Sequence, residues 1–426
     1  MFDAAEFVCT QMRAQQPGVL SITEESPTLD ILDALAQLVN KSLVVADTQG
    51  NETRFQFLET IRQFAHDKLL ESGEAERICV RHLDYYLALA RRGEPQLHGA
   101  EQVEWFDRLD VEEDNFRAAL DWALKNGQIE KALELAGALW WFWYIRDHFG
   151  EARERMSAAL ARSAASDPDE ARLKVLNGLG FILYAASNMP EARAVLEEAV
   201  SLSQKLGSRR GLAESLQFLG AVEFVEASKS TPGHFENVRN IMEQSLAHWQ
   251  ALGDKTGISW ELNLLASVAQ AEGDLTQSRA LWEESVALRR VVGDRLLLAY
   301  SLRRLAEIAL QQGDYVAAEA GYREGHRLLM ESGGKAAMAA SLAGFAGLAL
   351  AQGQFIRAVR LFGAAHAILQ ALTWRLPPAD DEAYERNMAS VRAQLSEAAF
   401  NAAWDEGRAL SMGQAIDYAL SREEAQ

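Results

Sequence analysis

The chain has 426 residues, 49% of them hydrophobic and only 8 of them proline, with a formal net charge of −19. It is too apolar for disorder, and its abundant Ala, Leu, Glu and Arg lose little on becoming helical, so a folded, helix-rich protein is expected. So acidic a surface repels phosphates and disfavours broad nucleic-acid binding, while two lone cysteines offer neither a disulfide framework nor a CxxC zinc site.

The N-terminus MFDAAEFVCT lacks a basic segment followed by an apolar run, so no secretory signal is visible. The first predicted elements follow at 29–43, where LDILDALAQLVNKSL reads as an amphipathic helix running into a strand. LVVAD, TQGN and ETRFQFL then read as two strands about a turn, and ETIRQFAHDKLLESG (59–73) as a helix stopped by glycine. Helix, hairpin, helix is the outline of a winged helix, here incomplete at its start and assigned to residues 1–75. Its basic residues Lys41, Arg54, Arg62 and Lys68 are interleaved with Glu52, Glu59, Asp67, Glu71 and Glu74, so packing is favoured over DNA contact. Residues 76–128 read as a helical connector.

From 129 to 372 the chain keeps a beat. Gly-Asp recurs at Gly253-Asp254, Gly273-Asp274, Gly293-Asp294 and Gly313-Asp314, and Gly333-Gly334 and Gly353-Gln354 continue it. Glycine stops a helix by taking a left-handed backbone, and the aspartate after it caps the next helix. Between the stops, Leu262, Leu265, Ala266 and Ala269 share one helical face, as do Leu275, Ser278, Trp282, Ser285, Val286 and Leu288. Two beats make one repeat. With turns aligned at Asp147, Ser187, Gly233, Gly273, Gly313 and Gly353, four of the five steps are 40 residues; the longer one carries the insertion ASKSTP at 227–232.

Four columns follow each turn. They are Phe149, Met189, Phe235, Leu275, Tyr315 and Phe355; then Ala152, Ala192, Val238, Ser278, Ala318 and Ala358; then Met156, Leu196, Met242, Trp282, Tyr322 and Phe362; then Ala159, Ala199, Ser245, Ser285, Gly325 and Ala365. This large-small-large-small pattern predicts a mainly α fold, a right-handed α-solenoid of stacked helix pairs. Small columns let helices approach and large ones fill the gaps. Residues 373–426 read as a C-terminal helical cap.

The repeats resemble the tetratricopeptide family, with Leu179-Gly180, Leu219-Gly220, Leu265-Ala266 and Leu305-Ala306 in place of its Leu-Gly contact. The standard period is shorter, about 34 residues; the longer one resembles the repeat region of MalT-like bacterial regulators. LVNKSLVV, RFQFLETIRQFAHDKL, VEEDNFRAALDWAL and RLPPADDEAYERNMASVRAQLSEAAFNAAWDEGRALSMGQAIDYAL are similar to the part that follows the nucleotide module in signal-transduction ATPases, which include LuxR-type activators. The resemblance implies the C-terminal part, or a shortened relative, of an ATP-dependent regulator. A P-loop is missing, since Gly333-Gly334-Lys335 lacks the upstream glycine and the Ser/Thr, and no helix-turn-helix follows Gln426. ATP would bind a P-loop domain absent from this chain, and neither ATP hydrolysis nor DNA binding carries over.

No hydrolase, metalloprotease or dinucleotide motif occurs, so an enzyme is not expected. Gly178-Leu-Gly180 lies in a repeat helix and reads as packing. His148, Glu151 and Glu154 share a face but suit a turn and a helix's first turn better than a metal. His326 and His366 read as packed or half-exposed, and Glu197-Glu198 and Glu283-Glu284 as solvated. The apolar run LAGALWWFWYI (135–145) is too short to span a bilayer; no membrane contact and a cytoplasmic location are expected. Within it Trp140 and Trp143 match core columns. Trp141 and Tyr144 point off the core and either cap the first repeat, pack on an adjoining part, or line a ligand site.

Similarity to the family puts the first helix of each pair on a concave groove. Its groove columns fall on Trp141 and Tyr144; Asn177, Phe181 and Tyr184; Gln217 and Phe224; Trp260 and Asn263; Tyr300, Arg303 and Glu307; and, in the sixth pair, only Ala340, Ala343 and Gly347, where the C-terminal segment is expected to pack. The expected function is a regulatory, sensor and interaction region that takes a protein or small effector in this groove and relays its state to a P-loop ATPase module. The alternatives are a free-standing adaptor, or aromatics that merely fill the superhelix.

Overall fold

A computed structural model describes residues 2–10, 31–49, 52–163, 169–230, 235–332, 334–372 and 378–421. The turn at Gly233, the glycine at 333, the tip of the hairpin at 50–51 and the start of the C-terminal segment at 373–377 lie outside the described residues. Among the described residues no helix is long and apolar enough to cross a membrane. The chain forms two compact units, Met1–Arg91 with Glu112–Leu135, and Arg92–Val111 with Ala136–Gln426.

The first unit begins with helices α1 (Phe2–Thr10) and α2 (Ile31–Asn40), strands β1 (Val44–Gln49) and β2 (Glu52–Phe57), and α3 (Glu59–Glu71). β1 and β2 pair antiparallel, with Val44 opposite Phe57 and Asp47 opposite Arg54. Over residues 31–71 Val44 alone is buried among the described residues, whereas Leu32, Val45, Phe57, Leu58, Phe64 and Leu70 are exposed. This small motif therefore has almost no core of its own. The core of the unit belongs to α4 (Ala75–Gly93), α6 (Glu113–Lys125) and the start of α7 (Ile129–Ile145), through Leu83, Tyr86, Leu89, Phe116 and Leu120. The Tyr86 hydroxyl donates to buried Glu112 at 2.9 Å, and burial followed by that carboxylate pushes the phenol pKa up.

The second unit is the helical-repeat solenoid. Its pairs are α7 with α8 (Phe149–Arg162), α9 (Glu170–Ala185) with α10 (Met189–Leu206), α11 (Arg209–Ser230) with α12 (Glu236–Leu252), α13 (Lys255–Ala271) with α14 (Leu275–Val292), α15 (Arg295–Gln311) with α16 (Tyr315–Ser332), and α17 (Lys335–Ala351) with α18 (Phe355–Ala371). The left-handed stops are real. Gly273, Gly313 and Gly353 have φ of +85, +78 and +75°, and Asp147 and Ser187, which stand in the same column without being glycine, have +61 and +59°. Aspartate tolerates this region better than most residues. Asp254, Asp274, Asp294 and Asp314 each accept the backbone N–H three residues on, at 2.9 to 3.0 Å.

The second, third and fourth columns are buried throughout, the third at no more than 1% exposure. The first is not uniform: Met189 and Phe235 fill gaps as expected, but Tyr315 is 39% exposed. The Leu-Gly step works by close approach, since a Cβ at Gly180 would fall 2.5 Å from the Leu196 side chain of the paired helix. Helices α19 (Pro378–Arg392), α20 (Glu397–Ala409) and α21 (Met412–Leu420) close the last pair. Tyr384, Val391, Phe400 and Ala415 join Phe345 and Phe362 in one core, and a Cβ added at Gly347 would meet the Asn387 amide nitrogen at 3.2 Å.

A short 3-10 helix (Glu94–His98) and α5 (Gln102–Val111) also pack on the solenoid. Gln102 is fully buried there: its amide donates to Asp294 Oδ1 at 3.0 Å and accepts from the Leu296 N–H at 2.9 Å. Arg146 meets Asp110 at 2.6 Å and covers the Phe106 ring, and Lys174 pairs with Glu94.

Candidate functional site

In α9, twelve of sixteen residues are buried. The inner faces curve until the first pair meets the sixth: Asp147 Oδ2, in the α7–α8 turn, accepts the Lys335 N–H at 3.1 Å at the start of α17, and its carboxylate also takes the Ala336 N–H. Burial raises the Asp147 pKa, with these amides opposing it. A partly open cavity of about 180 Å³ lies between these pairs.

Its wall is built by side chains from nine helices. Trp141, Tyr144, Phe181, Tyr184, Phe218, Trp260 and Tyr300 supply aromatic surface; Leu296, Leu297, Leu329, Ala337 and Ala340 supply aliphatic surface; Asp147, Asn263, Ser267, Arg289 and Arg303 supply polar atoms. The rings support one another at their edges: Trp141 to Trp260 is 5.8 Å, Phe181 to Trp260 5.6 Å and Tyr144 to Phe181 4.9 Å between centroids. Trp141 is 2% exposed, so the expectation that it points off the core is corrected: His98 backs its ring at 4.9 Å. Its indole N–H has no hydrogen-bond partner.

Arg289 reaches this wall from α14, the outer helix of its pair, because the residues it passes are small. Its Nε donates to Ser259 Oγ at 3.2 Å, and Nη1 to Ser301 Oγ at 2.8 Å and to the Leu297 carbonyl. Nη2 faces the Asn263 amide oxygen at 2.6 Å, the orientation in which that amide also donates to Ser285 Oγ. Its guanidinium centre lies 5.9 Å from the Trp260 ring. Burial draws its pKa down to about 10, so it stays charged at neutral pH. Asp294 is the nearest anion in effect. Burial opposes its charge, yet the His98 contact, the Leu297 N–H and Arg289 together outweigh that and hold its pKa below the ordinary carboxylate value.

The structure brings Trp141, Tyr144, Phe181, Tyr184, Trp260, Asn263, Tyr300 and Arg303 together on one wall, with Ala340 opposite. Four groove-column residues are engaged elsewhere. Asn177 accepts from Ser215 and donates to Glu214, tying α9 to α11. Gln217 accepts the Trp249 indole N–H at 2.8 Å, Phe224 packs on Phe235, and Glu307 pairs with Arg303 and Arg304. Sequence reasoning missed Arg289, Asp147, Phe218 and Leu297. The first lies on an outer helix and the second in a turn, positions that no groove column covers.

Two segments match tetratricopeptide-repeat family models, residues 172–206 and 258–331. These describe a repeat and no catalytic domain. The "Putative HTH-type transcriptional regulator Mb0914c" of Mycobacterium bovis and its counterpart Rv0890c of Mycobacterium tuberculosis are each 31% identical over 263 residues, covering 58% of this chain. The chain spans 29% of the length of these curated relatives. Among solved structures, it is similar to a signal-transduction ATPase with a tetratricopeptide repeat sensor from Pyrococcus horikoshii (14% identity, TM-score 0.42, 88% of this chain and 60% of that one). It is also similar to a Rap protein complexed with competence and sporulation factor (11% identity, TM-score 0.46, 74% and 98%). At those scores the likeness extends to neither site nor ligand. The chain thus carries tetratricopeptide-like repeats and is similar in sequence to putative transcriptional regulators.

Proposed function

We propose that this chain is the sensor region of an ATP-dependent transcriptional regulator and that its effector enters the cavity between the first and sixth helix pairs. The observation that carries this reading is the wall itself: aromatic rings from five successive inner helices converge with a few polar groups on one partly open space, the usual make-up of a ligand site. A cavity of about 180 Å³ suits a small effector, or one inserted side chain of a protein partner, better than a long extended peptide. An occupant would touch both Trp141 and Ala337, on the two pairs that Asp147 joins to α17. It would then bind the closed arrangement more tightly than an open one, which is all that a coupled response requires.

The motif of α2, β1, β2 and α3 is the place for a P-loop ATPase module. Its winged-helix outline buries only Val44 among the described residues of 31–71, so its exposed Leu32, Phe57 and Phe64 gain by being covered. ATP would belong to that module. Gly334-Lys335 does not fit a nucleotide phosphate, because the Asp147 carboxylate already takes the first N–H groups of α17. The relatives' names, putative transcriptional regulators, support the regulatory part of this reading.

The test is a thermal-shift screen of small metabolites and short peptides on the full chain, repeated on Trp260→Ala. A hit whose stabilisation vanishes in the variant, with helicity unchanged by circular dichroism, is the expected result. Hits that bind the variant equally well would move the site elsewhere.

A further inference from the structure

We infer that the cavity selects a compact aromatic carboxylate, its ring against Trp260 and Phe181 and its carboxylate directed at Arg289. This rests on the effector-site reading above and adds the ligand's chemistry to it.

Arg289 is 1% exposed, yet no carboxylate lies within ion-pair distance of its guanidinium among the described residues. A buried cation is ordinarily paired, because an unpaired one costs several kcal/mol of lost hydration, on the order of that for any buried ion. The guanidinium carries about five N–H donors. Ser259, Ser301, Leu297 and the Asn263 amide oxygen take one each, and all of these partners are neutral. Its remaining N–H and its charge face a space lined by Trp260, Asn263 and Tyr300. Trp141 adds a second buried donor without a partner on the same wall. The unmet need is thus for acceptors and negative charge.

The wall also argues against other chemistries. A cationic ligand would meet Arg289 and Arg303 on the wall, while the carboxylate there, Asp147, is engaged by the Lys335 and Ala336 N–H groups. Asp294 is held from behind by Gln102 and by the Leu297 N–H. A sugar needs many hydrogen-bonding partners, whereas most of the surface here is aromatic or aliphatic. A flat apolar body with one anionic end meets every group described.

The experiment is isothermal titration of the whole chain with three probe sets: benzoate, phenylacetate and indole-3-acetate; the matching neutral amides; and benzylammonium. A charge-assisted hydrogen bond predicts that the best carboxylate binds about tenfold or more tightly than its amide. Benzylammonium should not bind, and the carboxylate should change the tryptophan fluorescence. Arg289→Lys keeps the charge but loses the fork and should weaken the carboxylate about tenfold while leaving any amide binding unchanged. The wild-type comparison stands even if that variant fails to fold. Amides binding as well as carboxylates would overturn the inference while leaving the effector site intact, and so would failure of every carboxylate to bind. Aromatic probes that bind Trp260→Ala as well as wild type would overturn the site itself.

Discussion

Glu261 offers the sharpest quantitative check of the solenoid core. It sits on α13, fully buried, with Oε2 2.7 Å from Ser245 Oγ and Oε1 without a partner. Ser245 Oγ also lies 2.9 Å from the Ala213 carbonyl, and a hydroxyl has a single hydrogen to give. A carbonyl can only accept, so the serine hydrogen goes to Ala213 and the proton across the 2.7 Å contact belongs to Glu261. Burial accordingly pushes its pKa from 4.5 to about 8. A raised folded-state pKa means that the fold holds a proton the unfolded chain releases near pH 4.5. That stability is fully present below pH 4.5 and is lost as the pH rises through about 8. At about 1.4 kcal/mol for each step of one in pKa, the loss is on the order of 5 kcal/mol. Glu261→Gln mimics the protonated acid at every pH. Wild type and variant should therefore melt within about a degree of each other at pH 4.5, and the variant should melt several degrees higher at pH 9, at roughly 2 °C per kcal/mol. Calorimetry or circular dichroism across that range checks it. Parallel curves for the two proteins would show that Glu261 is ionised in the fold and that the proton placement is wrong.

Gly180→Ala puts a methyl 2.5 Å from Leu196 and should cost about 1–3 kcal/mol by overpacking, read as a lowered thermal midpoint. Gly273→Ala, at φ +85° in open space, should cost only the backbone strain, about 1–2 kcal/mol. Arg357→Ala removes the Nη2 donor to the Tyr418, Ala419 and Ser421 carbonyls. Hydrogen exchange should then speed up over Met412–Leu420 by a factor matching about 2 kcal/mol and stay unchanged in α13 and α15.

The repeat was legible because its signals are local. A glycine that must turn left-handed, an aspartate that caps three residues on, and a methyl-sized column all act within one helix pair, so each leaves its mark on a short stretch of chain. Even Asp147 and Ser187, which break the glycine column, were placed by its spacing. The inner-helix aromatics Trp141, Phe181, Trp260 and Tyr300 were placed by the resemblance to tetratricopeptide groove columns, not by a local signal of their own.

The rest was decided at distance. Whether Asp147 meets Lys335 depends on the small rotations accumulated over the intervening pairs, and no single repeat encodes that sum. The docking of Gln102 on Asp294 joins residues 192 apart in sequence and has no periodic signal. Arg289 looked like any basic residue near a helix end until Ser259, Ser285 and Ser301 left it a passage to the inner wall. The sequence by itself determined the helices, their stops and which columns pack, because those follow from backbone conformation and burial within a pair. Only the tertiary structure decided that the concave face closes into a cavity with a buried cation on its wall, because closure is a property of the whole stack.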